Sequence, residues 1–180
     1  MGQSPKRQNI KGALHKLSIF PTKILLATDG SEEAQLAART AADLAKSTAS
    51  ALHVVVIFQE SAYGHPYYEV RLPKFAEQLR QQDQEENQKV LDEQVKRLQE
   101  TEVDIAEAHL RTGEPDREIV ALSEELGAGL IVMGSRGLGG VRRALMGSVS
   151  DSVVRHAHCP VMVVRPEKQR SAEHEADFLT

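Results

Sequence analysis

Short apolar, β-branched runs alternate with helical segments along this chain, and that alternation confines it to α/β folds built on a parallel sheet. Lys23–Thr28 reads as a first strand, and Leu52–Phe58 is a continuous apolar run, as expected of a strand covered on both faces. Further strands are expected near Val103–Leu110, at Leu130–Met133 and at Val161–Val164. Ser31 fits a helix N-cap, with Glu32 and Glu33 in the first turn, where carboxylates suit the helix dipole. The alanine-rich segment Ala34–Lys46 follows it. A long polar helix is expected over Pro73–Glu100, supported by i,i+4 pairs Asp92→Lys96 and Glu93→Arg97. Pro115 suits the first position of a helix ending near Gly127, and a last helix starts at Ser148.

The fourth strand stops at Gly134 and runs into a glycine-spaced loop. Gly137, Gly139 and Gly140 follow, then Arg142 and Arg143, then Gly147–Ser148 at the head of a helix. Glycines allow a close backbone approach, and the helix start offers amides without intrahelical acceptors at the positive end of its dipole. Strand, glycine loop and helix N-terminus together suit a phosphate. The two commonest phosphate cradles are absent: no G-x-x-x-x-G-K-[ST] occurs, and no G-x-G-x-x-G follows the first strand. Open parallel sheets bind ligands beyond the carboxyl ends of strands where strand order reverses. If the first and fourth strands are neighbours there, Asp29 and the glycine loop converge on one crevice.

The spacing of Gly134, Gly137 and Gly147–Ser148 reads G-x2-G-x9-G-[ST]. With KILLATDGSEEA from Lys23, TGEP from Thr112 and HCPVMVVRP from His158, it resembles the universal stress protein family in its ATP-binding form, over roughly Thr22 to Pro166. The resemblance implies one doubly wound open sheet of five parallel strands, order 3-2-1-4-5, of the adenine nucleotide alpha hydrolase-like kind. It divides the chain into a tail over 1–21, a domain over 22–166 and a tail over 167–180. ATP is the implied ligand, with Mg2+ or Mn2+ as a possible companion held partly by Asp29.

On that reading Ala27 and Thr28 meet the base through backbone groups, Asp29 meets the ribose or the ion, and Ile57 meets adenine. Val56 is the alternative register for Ile57, and an Asx turn over Asp29–Gly30–Ser31 is the ligand-free role for Asp29. Met133, Gly134, Ser135, Arg136 and Gly137 form one side of the expected phosphate and ribose site. Gly147, Ser148, Val149 and Ser150 form the other. A capping-box-like pair of Ser148 with Asp151 is the ligand-free role of that helix start. Arg136, Arg142 and Arg143 are candidate phosphate cations.

Other features carry less. His156, His158 and Cys159 are too closely packed, with Pro160 next, to suit one tetrahedral zinc, and the remaining histidines look scattered. All three tyrosines fall in Ser61–Tyr68, either a flap or a crossover loop, with the loop favoured. Ile10, Leu14 and Leu17 form a short apolar stripe in a tail expected to be disordered. A formal charge of −4 gives no case for nucleic acid. No apolar run approaches a membrane span, and no apolar segment follows Lys6, Arg7, Lys11 and Lys16 as in a secretory leader. The single cysteine fits a reducing compartment, so the cytoplasm is expected.

Two functional classes compete. One is a regulatory module whose ATP occupancy alters assembly or partner choice in stress responses. The other is an enzyme, but the S-G-G-x-D-S, H-I-G-H and K-M-S-K-S patterns of adenylyl-transferring relatives of the fold are absent, leaving at most weak ATP hydrolysis. A nucleotide-free dimeric scaffold is a third reading. The family resemblance implies a homodimer through Val161–Val164, whose residues do nothing to blunt an exposed edge.

Overall fold

The computed structural model describes residues 19–59, 72–138 and 146–166. Its elements are β1 (Lys23–Ala27), α1 (Glu32–Thr48), β2 (Ala51–Phe58), α2 (Pro73–Gln99), β3 (Ile105–Thr112), α3 (Pro115–Leu126), β4 (Leu130–Gly134), α4 (Ser148–His156) and β5 (Val161–Val164). The strands form one sheet in the order β3-β2-β1-β4-β5, every pair parallel. Chain direction therefore reverses its walk across the sheet between β1 and β4, as the strand order implied.

Alternation along each strand divides the core in two. Ile24 and Leu26, with Leu52, Val54, Val56, Leu130 and Val132, face α1 and α2. Leu25 and Ala27, with Val55, Ile131 and Met133, face α3 and α4 through Ile119, Leu122 and Val153. Helix α1 meets the sheet through Ala34, Ala37, Ala38, Ala41, Ala42 and Ala45, all buried. Small side chains at i, i+3 and i+4 let it lie close. At Gly134 a Cβ would sit 3.0 Å from the Glu33 carbonyl carbon and 3.1 Å from the Ala34 nitrogen. Ser31 caps α1 by accepting from the Ala34 amide at 3.3 Å, and Gly127 ends α3 in the left-handed region at φ 62°.

The third strand begins two residues later than the sequence suggests. Glu102 takes φ 58° and turns the chain, and Val103 is buried in the core on the α1–α2 side before pairing starts at Ile105. A bulge then follows: Leu52 pairs with Ile105, but His53 pairs with Glu107. On α2, Glu93 pairs with Arg97 at 3.9 Å, whereas Asp92 accepts from Gln88 at 2.9 Å.

Candidate functional site

A cavity of about 630 Å³ opens at the carboxyl ends of β1 and β4, where the strand order reverses. Ala27, Thr28 and Asp29 form one wall, and Met133, Gly134, Arg136 and Gly137 the facing one. Gly147, Ser148, Val149 and Ser150 close one end, with Ile57 across the crevice. The register of β2 is settled: Ile57 lines the cavity, while Val56 is buried on the opposite face with α1 and α2.

Asp29 holds the crevice in shape. Its Oδ1 accepts from the Ser31 amide at 3.0 Å, which is the Asx turn, and its Oδ2 accepts from the Leu138 amide at 2.9 Å. One carboxylate thus fastens the β1 turn to the glycine loop. A Cβ on Gly137 would lie 2.3 Å from Asp29 Oδ2, so this close approach requires the glycine even before a ligand is considered. Thr28 is buried; its hydroxyl accepts from the Gly30 amide at 3.3 Å and donates to Gln94 of α2 at 3.5 Å.

Ser135 does not line the cavity. It is fully buried, and its backbone oxygen accepts from the Gly147 amide at 2.8 Å and from the Ser150 hydroxyl at 2.9 Å. Its hydroxyl donates to Glu33. These bonds staple both ends of the glycine loop together, so Ser135 shapes the site from behind. Arg136 likewise differs from a cation waiting for phosphate. Its Nε and Nη2 lie 2.7 and 2.6 Å from Glu33 Oε1. Burial by itself would raise the Glu33 carboxyl, but the hydrogen bonds from Ser135 and Arg136, with the Arg136 charge, outweigh it and hold the pKa below its ordinary value. Along the chain Glu33 is only a first-turn helix carboxylate; its partner Arg136 lies 103 positions away.

Helix α4 starts with Gly147 as N-cap and Ser148 as its first residue, and no side chain caps it. The expected Ser148–Asp151 capping box does not form: Asp151 takes Arg155 at 2.6 Å, one turn on. The Ser150 hydroxyl donates to the Gly147 oxygen at 3.0 Å, within the first turn. The helix therefore presents its first-turn amides at the cavity end, where Ser148 and Val149 line it.

Pro115 and Ile119 of α3, Gln59, Leu138 and Met146 also line the cavity. The TGEP segment that ends in Pro115 carried a family signal without suggesting a wall of the site. Arg142 and Arg143, Ser61–Tyr68 and the Ile10–Leu17 stripe lie outside the described residues. His156 and His158 find separate partners, Ser152 and Glu124, each at 2.8 Å. Burial raises the Cys159 thiol pKa, which disfavours the reactive thiolate. The other histidines are less scattered than the sequence suggests: His53 and His109 stack with ring centroids 5.6 Å apart. Burial holds both imidazoles below their ordinary pKa.

Among the described residues, no helix is long and apolar enough to cross a membrane. The sequence pattern of the universal stress protein family matches residues 21–165. A putative universal stress protein of Staphylococcus haemolyticus, SH1215, is 41% identical over 146 residues, covering 81% of this chain and 85% of that protein. Among solved structures, the hypothetical protein MJ0577 superposes with a TM-score of 0.69 at 25% identity, over 83% of this chain and 99% of that one. A universal stress protein solved in complex with cAMP shares the fold at a TM-score of 0.59 and 22% identity, over 82% of this chain and 99% of that one. One from Archaeoglobus fulgidus, solved in complex with dAMP, does so at 0.53 and 21%, over 82% and 98%. The match spans every strand of the sheet and both halves of the crevice, and the chain belongs to the universal stress protein family.

Proposed function

We propose that the crevice binds an adenine nucleotide, ATP in the cell, and that occupancy makes the protein a nucleotide-responsive regulator in stress responses. One observation carries the reading: the ends of β1 and β4 and the first turn of α4 converge on one cavity at the reversal of strand order. Its volume suits a mononucleotide. Support comes from the two family structures solved with cAMP and dAMP. Phosphates are assigned to the α4 amides and the Gly134–Gly137 turn, and the base to the side of Ala27, Thr28 and Ile57.

An accompanying Mg2+ or Mn2+ is part of the proposal. Asp29 has two hydrogen bonds already, and a carboxylate keeps further lone pairs for an ion. Binding is favoured over turnover because, among the described residues, Asp29 is the only acid lining the cavity, and with it given to the ion no carboxylate or histidine there is left to act as general base. The homodimer is assigned to β5 and the location to the cytoplasm.

Ser148→Glu tests the phosphate assignment. A carboxylate at the first position of α4 suits the helix dipole, so folding is retained, but it brings like charge to the phosphate site. Calorimetry should show ATP binding to the wild type and affinity at least tenfold weaker in the variant, or about 1.4 kcal/mol. No ATP heat with the wild type, or equal affinity in Ser148→Glu, overturns the reading.

A further inference from the structure

We infer that His53, Glu107 and His109 form a zinc-binding site on the β2–β3 edge of the sheet, separate from the nucleotide crevice. Their ligand atoms converge. His53 Nδ1 lies 3.4 Å from His109 Nε2 and 4.0 Å from Glu107 Oε2, and His109 Nε2 lies 3.7 Å from the same oxygen. Zinc with bonds of about 2.0–2.1 Å in tetrahedral geometry holds its ligand atoms about 3.3 Å apart. The observed triangle is larger than that on the two sides that end at Glu107, whose exposed side chain would draw in to close on an ion.

The backbone brings these three together by an irregularity. Between the Leu52–Ile105 and His53–Glu107 pairs, β3 carries one extra residue, Ala106. A one-residue slip sends every following side chain to the other face. Without the bulge Ala106 would stand opposite His53, and Glu107 and His109 would face α2 instead. With it, Glu107 lies opposite His53 and His109 opposite Val55, on the face that carries α3.

Chemistry and access favour the same conclusion. Two imidazoles and one carboxylate are a zinc donor set that leaves a fourth position for water. A 2-His-1-carboxylate set also serves octahedral iron, but right-angle coordination would draw the ligand atoms to about 3.0 Å, further from the spacing seen. His53 is buried and His109 half-buried, whereas the Glu107 side chain is 61% exposed, so an ion can enter from solvent beside Glu107. The nearby Arg111 is balanced by Glu125 and Glu118, and Lys23 donates to the Leu126 oxygen at 2.9 Å. The cavity residue Ile57 is four positions beyond His53 on β2, about 13 Å along the strand, so the two sites are distinct. Bound zinc would tie the edge strand to its neighbour and stabilise the fold by linkage.

The test uses the full 180-residue chain, stripped with a chelator. Zinc chloride is titrated by calorimetry and cobalt(II) by visible absorption, which reports tetrahedral coordination. Wild type is compared with Glu107→Gln, with His109→Gln, and with the reference variant His156→Gln/His158→Gln. We expect one zinc equivalent and tetrahedral cobalt bands in wild type and reference, with affinity at least tenfold weaker in each of the other two. Glu107→Gln alters an exposed side chain, so a folding failure does not confuse the result. No zinc uptake by wild type, uptake undiminished in Glu107→Gln and His109→Gln, or loss in the reference variant overturns the assignment.

Discussion

Replacing Gly137 by alanine tests whether Asp29 fastens the glycine loop. The new Cβ would fall 2.3 Å from Asp29 Oδ2, closer than any tolerated contact. Either Asp29 rotates away or the loop shifts, and both break the bond from the Leu138 amide, now 2.9 Å. Rotation also endangers the 3.0 Å bond from Ser31 that shapes the turn before α1. A hydrogen bond to a charged group contributes about 1.5–3 kcal/mol. Leu138 is exposed, so water replaces part of the loss, and about 1–2 kcal/mol is the expected cost. For a chain of this size that lowers the thermal midpoint by roughly 2–8 °C. The assay is thermal and urea unfolding of a double-mutant cycle with Asp29→Ala. In the Asp29→Ala background the clash and the bond are both gone, so Gly137→Ala should cost little there, with a coupling of about 1 kcal/mol or more. A Gly137→Ala cost that is the same with and without Asp29 would refute the reasoning, as would a wild-type-like midpoint in the single variant.

The remaining predictions follow from the same contacts. The Glu33 carboxyl is held below its ordinary value of 4.5, so its contribution is complete above that pH and is lost as pH falls through the folded pKa. The stability gap between wild type and Glu33→Gln should therefore narrow in urea titrations taken from neutral pH into acid, and a gap constant with pH would contradict it. For the proposed dimer, Val163 is a poor target because it packs against the α3–α4 core, whereas Met162 is 37% exposed on the β5 edge. Met162→Glu should place like charges near the two-fold and shift light scattering from dimer to monomer; a dimer that persists removes β5 as the interface.

Local chemistry was legible in the sequence, long-range pairing much less so. Apolar runs separated by helical segments state a parallel α/β sheet, because strand and helix periods are written in neighbouring residues. Ser31, Pro115 and Gly127 mark helix ends for reasons contained within one turn of chain. The glycine spacing likewise marked one wall of the crevice and the helix start that closes its end. Which groups fill the walls was decided in three dimensions. Glu33 captures Arg136 and Ser135 only because Gly134 lets α1 lie against the end of β4. Asp29 meets Leu138 only because β1 and β4 are neighbours. Ile57 rather than Val56 faces the cavity because strand packing fixes which side chains point to α3. The clearest case is the cluster of His53, Glu107 and His109. Its members look unrelated along the chain, and a single extra residue in β3 turns two of them onto the third's face. A bulge is set by how two strands pack over many side chains at once, so no local pattern announces it.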